Sequence, residues 1–320
     1  MSGRATLRVV ALTVLLLVSG LAGPTVAAAA DPVPPVTSTP AAAVLAVAQQ
    51  GVANAAAQHV EQSVAVIDRS TGRLIADVGG RQAYNTESIT KLFTAAYYLE
   101  KAQGVPGPDL GAQLSRMIEV SDDDIQSALW RPDIVPTVAR RYGLTQSTNA
   151  PDASDSTWGS NRTTADDQVT FLLRASQDPW VGPSLLSWMA AAQPTGADGF
   201  DQSFGLLALA GDRGAKQGWS DEGWTPANLH SVGWTDHYFI AILQSSATAG
   251  NDTMRATSTF TAQLIGGDPA VASTTASAAS SADSTTQPPP STASTSPMIE
   301  LDESVLDVIF SADFLSAFRS

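Results

Sequence analysis

One serine and one lysine of this chain, Ser88 and Lys91, have the types and the spacing of a nucleophile and its base. Residues three apart lie on one face of a helix, so the Lys91 amine can reach the Ser88 hydroxyl. The amine can take the hydroxyl proton if burial or a neighbouring cation keeps it neutral. The pair is therefore a candidate nucleophile and general base, although a serine three residues before a lysine is also common by chance in a Ser-rich chain.

Two later segments carry polar residues that could serve the same chemistry. Ser121 opens the run Ser121-Asp122-Asp123 at the start of a predicted helix, and Lys216 opens Lys216-Gln217-Gly218-Trp219 on a predicted strand. In this order, the three segments resemble the S-x-x-K, S-D-N and K-T-G motifs of the penicillin-binding protein and serine β-lactamase superfamily. The run Trp158–Gln168 is similar to the exit of the active-site Ω-loop in class A β-lactamase-like proteins.

The resemblance covers about residues 41–267 and implies both a fold and a set of roles. The fold is α+β, an antiparallel sheet of about five strands flanked by helices, with an inserted all-helical subdomain. Ser88 would attack the carbonyl, Lys91 would accept its proton, and Ser121 would relay a proton to the leaving nitrogen. The backbone N–H groups of Ser88 and Trp219 would form the oxyanion hole. The residues expected to bind the substrate are Asp123, Lys216, Gln217 and Gly218, with the Lys216 ammonium on a substrate carboxylate.

The chain departs from the superfamily pattern at two of these positions. Asp123 stands where asparagine is usual, and a carboxylate cannot donate a hydrogen bond to a substrate carbonyl. Close to Lys91 it would also favour the protonated amine, which is not a base. Gln217 replaces threonine or serine, but its amide can still donate to a carboxylate.

A third departure concerns the removal of the acyl group. No glutamate occurs between Glu119 and Glu222, so the class A deacylating base has no direct counterpart. Asp152 and Asp155 are the only substitutes in the loop, and both also fit solvated aspartates of a turn. We therefore do not expect fast hydrolysis of β-lactams.

The chain divides into five parts along its length. Residues 1–30 have the basic start, apolar run and small-residue end of a secretory signal, and residues 31–40 form a proline-rich leader. Residues 41–267 form the predicted domain. Residues 268–298 are a linker of Ser, Thr, Ala and Pro that cannot bury an apolar core. Residues 299–320 predict one acidic amphipathic helix, which either docks at a terminus or binds a protein partner.

Within the domain, the hydrophobic pattern changes from mixed to helical and back to strand-like. An Ala-rich helix is expected over 41–58, followed by a hairpin with strands at 63–69 and 74–78. A helical block follows from 92 to 192, with a polar loop over 145–160. The last strands are expected at 215–219, 229–235 and 237–244.

Composition excludes several classes of function. The net charge of −14 over 320 residues disfavours a nucleic-acid partner, which needs clustered Lys and Arg. The chain has no cysteine, and its three histidines lack metal-ligand spacing, so neither a metal nor another cofactor is predicted. The apolar run of the signal is too short for a stable membrane span, which needs about 20 residues. A secreted location in a bacterial cell envelope follows.

These observations favour a secreted serine hydrolase or acyl-transferase acting on a small-molecule β-lactam or on the stem peptide of peptidoglycan. An enzyme alternative is a true β-lactamase whose deacylating base lies at Asp152 or Asp155. A second alternative is a binding module of the same fold, in which Asp123 and Gln217 have stopped catalysis.

Overall fold

The computed structural model describes residues 40–151, 157–221 and 223–267. Within these ranges the chain is α+β, as predicted. The helices are α1 (Pro40–Ala56), α2 (Thr90–Lys101), α3 (Pro108–Glu119), α4 (Asp123–Leu129), α5 (Ile134–Tyr142), α6 (Ala165–Gln177), α7 (Gly182–Ala190) and α8 (Asn251–Gly266). The strands are β1 (Glu61–Asp68), β2 (Arg73–Val78), β3 (Tyr84–Asn85), β4 (Arg162–Thr163), β5 (Arg213–Trp219), β6 (Ala227–Thr235) and β7 (Tyr238–Ser246).

Strands from the two ends of the domain pair in one antiparallel sheet of order β2-β1-β7-β6-β5. The joining pair is β1 with β7, in which Ala65 lies opposite Ala241. This order leaves β5, which carries Lys216, at an edge of the sheet. A separate two-stranded pair joins β3 to β4, with Asn85 opposite Arg162.

Alternating residues of the strands supply two apolar cores, one on each face of the sheet. Ala65 and Ile67 of β1 face the helical block α2 to α7, where they join a large cluster around Phe93 and Phe171. Val64 and Val66 face the other way, where α1 and α8 cover the sheet. The helices between β2 and β5 therefore form a layer on one face, as the resemblance implied.

The helix α8 was not predicted from the hydrophobic pattern, and its buried residues explain why. Besides Met254, Ala262 and Ile265, the buried face of this helix consists of Thr257, Ser258 and Thr261. Gln62 of β1 donates a hydrogen bond to the Thr261 hydroxyl (2.8 Å). Gly51 of α1 permits the close contact, since a Cβ there would lie 2.5 Å from the Thr261 Oγ1. A face docked partly through hydroxyl groups gives no clear apolar period in the sequence.

Several predicted segments lie outside the described residues. These are the signal over 1–30, the linker over 268–298 and the acidic helix over 299–320. Of the leader over 31–40, only Pro40 is described, and it begins α1. Among the described residues, no helix is long and apolar enough to cross a membrane.

Candidate active site

Ser88 and Lys91 lie together at the start of α2. Ser88 is part of a 3-10 turn, Glu87–Ile89, that leads directly into the helix, and Lys91 is in the first helical turn. The Lys91 Nζ lies 2.6 Å from the Ser88 Oγ. Ser88 is 4% exposed and Lys91 is fully buried. The predicted contact between hydroxyl and amine is therefore present in the structure.

The turn that carries Ser88 is held in place by the segment around Trp158. The Thr86 N–H donates to the carbonyl oxygen of Asn161 (2.7 Å), and the Thr86 hydroxyl donates to that of Gly159 (3.1 Å). The pairing of β3 with β4 continues this contact one residue upstream. The 3-10 turn Trp158–Ser160 and the following Asn161 thus fix the backbone from which the Ser88 side chain projects.

Ser121 lies between α3 and α4, where it links the two buried lysines. The Lys91 Nζ donates to its carbonyl oxygen (3.0 Å) and lies 3.1 Å from its Oγ. The Lys216 Nζ donates to the same Oγ from the other side (2.8 Å). Ser121 has a left-handed backbone, with φ of 59°. That conformation turns both its carbonyl and its hydroxyl toward the lysines.

Lys216 reaches this point from the edge strand β5. Its side chain is 1% exposed, and its Nζ also donates to the backbone carbonyl of Gln217 (2.8 Å). The four side chains form one chain of hydrogen-bonding contacts, in the order Ser88, Lys91, Ser121 and Lys216. Such a path can carry a proton between the nucleophile and a group bound near Ser121.

Burial is the main influence on both amines. It lowers the pKa of Lys91 below the ordinary lysine value, although the Asp123 carboxylate acts in the opposite direction. Burial, followed by repulsion from Lys91, lowers the pKa of Lys216 well below that value. Two neighbouring buried amines favour a state in which one of them is neutral, as a base must be.

Asp123 forms an ion pair with Lys91 at the mouth of this group. It is the first residue of α4, its Oδ1 contacts the Lys91 Nζ, and its side chain is 53% exposed. The preceding residue, Asp122, caps α4 by accepting from the Ile125 N–H (3.0 Å) and pairs with Arg116 (2.8 Å). Asp123 therefore acts on the base itself, as the sequence suggested.

The Lys91 environment accommodates both protonation states. As a neutral amine, Lys91 has two N–H bonds for the Ser121 carbonyl and the Asp123 carboxylate, and its lone pair can accept from Ser88. As an ammonium, it has a third N–H that donates to the Ser88 Oγ. The contacts around Lys91 are thus compatible with a base that gains and returns one proton.

Gln217 is not placed where the expected role in substrate binding would need it. Its Nε2 donates to the backbone carbonyls of Gln202 (3.2 Å) and Phe204 (2.5 Å), and the residue is 1% exposed. Both N–H bonds of the amide are therefore occupied inside the protein. The physical reason is the alternation of β5, which turns Gln217 away from the face that Lys216 uses.

Gly218 brings β5 directly against the nucleophile. A Cβ at this position would lie 3.3 Å from the Ser88 backbone nitrogen and 3.2 Å from that of Ile89. Trp219 follows and stacks on Phe200, with ring centroids 4.5 Å apart. The end of β5 and the Ser88 turn are thus close enough to form one wall of a cleft.

Three residues near the site were missed as site residues by the sequence analysis. The Trp158 ring covers Lys91, with its centroid 4.6 Å from the Nζ, and its indole N–H donates to Ser127 of α4 (3.1 Å). Glu87 has a left-handed backbone, with φ of 44°, and accepts hydrogen bonds from Ser220 and Asn228. Asp198 accepts from the Trp219 indole (3.2 Å). None of these contacts follows from a motif, although Trp158 belongs to a run that the resemblance identified.

Asp152 and Asp155 lie outside the described residues, so the expectation of a loop base stays a prediction. Among the described residues, no group of His, Asp and Glu side chains has the arrangement of a metal site.

The chain has the fold of class A β-lactamases. A class A β-lactamase from Bacteroides cellulosilyticus superposes with a TM-score of 0.55 at 16% identity, over 68% of this chain and 95% of that one. A β-lactamase from Xanthomonas campestris gives 0.56 at 14% identity, over 69% and 97%. The predicted β-lactamase-like fold is therefore confirmed.

Sequence comparison identifies the family within this fold. The chain is 33% identical over 228 residues to the protein named "Putative lipoprotein LppW" in Mycobacterium tuberculosis and in Mycobacterium bovis, over 66% of this chain and 71% of each relative. The chain belongs to the LppW family. No protein-family model matches it.

Proposed function

We propose that this protein is an extracytoplasmic serine acyl-transferase or hydrolase that forms an acyl-enzyme on Ser88. The observation that carries the proposal is the unbroken series of contacts from Ser88 through Lys91 and Ser121 to Lys216, with distances of 2.6, 3.1 and 2.8 Å. A serine, a buried amine of lowered pKa and a relay hydroxyl are the groups that this chemistry requires.

In the proposed acylation step, the Ser88 Oγ bonds to the carbonyl carbon of an amide, and its proton passes to the Lys91 Nζ. The backbone N–H groups of Ser88 and Trp219 stabilise the oxyanion that forms. The C–N bond then breaks, and Lys91 returns the proton through the Ser121 hydroxyl to the leaving nitrogen. The products are an ester on Ser88 and a free amine.

We propose that the ester is lost slowly. Hydrolysis needs a base that activates water, and the Asp123 carboxylate beside the site is paired with Lys91. The remaining loop bases proposed from the sequence are Asp152 and Asp155. A slow second step matches a penicillin-binding type of enzyme, whereas a functional base at either aspartate would give a β-lactamase.

The substrate proposed is a β-lactam or an amide like D-alanyl-D-alanine, in keeping with the names of the structural neighbours. An envelope location is supported by the relatives, which are named lipoproteins, and by the predicted secretory signal. The 320 residues contain no cysteine for attachment of a lipid, so this location would rest on export rather than on a thioether anchor.

Intact mass spectrometry tests the proposal directly. The purified chain is incubated with benzylpenicillin and with a D-Ala-D-Ala thioester, beside Ser88→Ala and Lys91→Ala. Lys101→Ala is the matched lysine control, because Lys101 lies at the other end of α2 and contacts the Tyr97 hydroxyl. We expect the acyl mass on the wild type and on the Lys101 variant, and on neither of the other two.

An adduct that persists on Ser88→Ala contradicts the proposed nucleophile. The lifetime of a Ser88 adduct distinguishes the two kinds of enzyme. An adduct that lasts for minutes or longer indicates a penicillin-binding type, and rapid loss of the adduct indicates a β-lactamase.

The binding-module alternative is favoured by one observation, the ion pair that holds Lys91 while Ser88 is 4% exposed. Well-folded protein that binds both compounds without gaining mass would support it.

A further inference from the structure

Two exposed carboxylates, those of Asp123 and Asp198, lie near the Ser88 site. Asp123 belongs to α4 and is 53% exposed while it contacts Lys91. Asp198 is exposed and belongs to the turn before Phe200, where it accepts from the Phe200 N–H (2.9 Å) and from the Trp219 indole (3.2 Å).

The turn that carries Asp198 is fastened to the site by backbone contacts. The Ala197 N–H donates to the carbonyl of Val120 (2.6 Å), which is the residue before Ser121. On its other side the turn meets Trp219, whose ring lies 5.7 Å from the Lys216 Nζ. Asp198 therefore contacts Trp219 of β5, the strand that carries Lys216. Its neighbour Ala197 contacts Val120, the residue before Ser121.

The positive groups of the site lie beneath these carboxylates. Lys91 and Lys216 are 0% and 1% exposed, and their N–H bonds are directed at Ser88, Ser121, Asp123 and the Gln217 carbonyl. The Gln217 amide, expected to hold a substrate carboxylate, is bonded to backbone carbonyls instead. An arriving ligand thus meets negative charge first, which opposes the anionic substrate that the Lys216 motif suggested.

We propose that the Ser88 site prefers acyl donors that carry a positively charged amine, held at the mouth by Asp123 and Asp198. This inference rests on the proposed function and specifies its substrate class. A donor with an additional carboxylate in its side chain would be repelled by the same two groups, and one with an uncharged side chain would be intermediate. The ion pair with Lys91 leaves the exposed side of the Asp123 carboxylate for the ligand.

A penicillin series that differs only in side-chain charge tests the preference. All three share the ring carboxylate. The side chain carries an ammonium in ampicillin, no charge in benzylpenicillin and a second carboxylate in carbenicillin. Exposed charge pairs typically change affinity by up to about fivefold each. We therefore expect acylation by ampicillin to exceed that by benzylpenicillin by about 3-fold to 10-fold, and carbenicillin to be the slowest. The differences should shrink as salt is raised, because the carboxylates are exposed.

Asp198→Asn is the informative variant, since Asp198 makes no hydrogen bond to Lys91 or Ser88 among the described contacts. It should reduce the ratio of ampicillin to benzylpenicillin acylation by about 2-fold to 5-fold. Asp109→Asn removes the same charge at the opposite end of α3, about 15 Å along the helix from Glu119, and is the matched control. It should leave the order and the ratios unchanged.

Binding to Ser88→Ala separates this inference from the proposed function. We measure dissociation constants on this variant, where no ester can form on residue 88. The ligands are the three penicillins and three thioesters whose side chains bear an ammonium, an acetamide or a carboxylate. A preference for the ammonium compounds without any acylation of the wild type would retain the inference and overturn the proposed chemistry. Equal binding and equal acylation across the charges, or tighter binding of the carboxylates, would overturn the inference alone.

Discussion

Replacing Asp123 by Asn should change the pKa of Lys91, the base of the proposed reaction. It leaves the nucleophile, the base and the relay hydroxyl in place. The Asp123 carboxylate favours the ammonium form of Lys91, while burial has the larger and opposite effect and lowers the pKa of Lys91. Asp123→Asn should therefore lower this pKa further. Acylation uses neutral Lys91 and rises with pH through that pKa, so the rise should move to lower pH in the variant.

The size of the effect can be bracketed from the geometry of the pair. A fully exposed ion pair is worth about 1 kcal/mol, and a pair near 4 Å at an effective dielectric constant of 20 is worth about 4 kcal/mol. Lys91 is buried but Asp123 is 53% exposed, which places the pair in the lower half of that interval. A value of about 1–2 kcal/mol increases the neutral fraction of Lys91, and hence the acylation rate below its pKa, by roughly 5-fold to 30-fold.

The assay is the rate of adduct formation with benzylpenicillin, whose side chain is uncharged, across pH at fixed ionic strength. Asp124→Asn, which removes a charge from the next residue of α4, is the control and should leave the pH profile in place. A slower Asp123→Asn enzyme with an unmoved profile would refute the reasoning, because the ion pair would then not limit the base.

Three further predictions concern neighbouring positions. Gly218→Ala places a Cβ 3.3 Å from the Ser88 nitrogen and should slow acylation at least tenfold with little change in melting temperature, as measured by mass spectrometry and calorimetry. Trp158→Leu removes the ring over Lys91 and should speed acylation at neutral pH by a few-fold, because a cation-π contact worth about 1 kcal/mol no longer stabilises the ammonium. Burial lowers the pKa of His230 to about 4 from 6.5, so only the unfolded state gains a proton as pH falls through that range, and stability should drop by about 3 kcal/mol in total. Urea unfolding at pH 7 and pH 4.5 should show this loss in the wild type and a smaller one in His230→Phe.

The sequence was sufficient to predict the four groups that meet at the site. Ser88 and Lys91 needed only helical spacing, and Ser121 and Lys216 needed the order of motifs that the fold superfamily shares. The sheet was equally accessible, because Val and Ile of β1, β6 and β7 concentrate between turns. The site groups and the sheet could be predicted because each depends on short local segments or on the order of such segments along the chain.

The remaining features depend on contacts between distant loops. Whether the Gln217 amide faces a ligand or the interior is decided by the carbonyls of Gln202 and Phe204, whose position no local pattern gives. Asp198 reaches the site only because its turn is bonded to the residue before Ser121. The helix α8 was not predicted because half of its buried residues are Thr and Ser, so the sequence shows no helical period of apolar residues there.

The left-handed backbones of Glu87 and Ser121 have a consequence for laboratory evolution of this protein. A non-glycine residue in that region costs about 1–3 kcal/mol, and here two such residues flank the reactive groups. Glycine at either position would relieve the cost, but Ser121→Gly would also delete the hydroxyl between the two lysines. A selection for heat resistance alone should therefore enrich glycine at these two positions, and variants with Ser121→Gly should lose the proposed acyl transfer as they gain melting temperature.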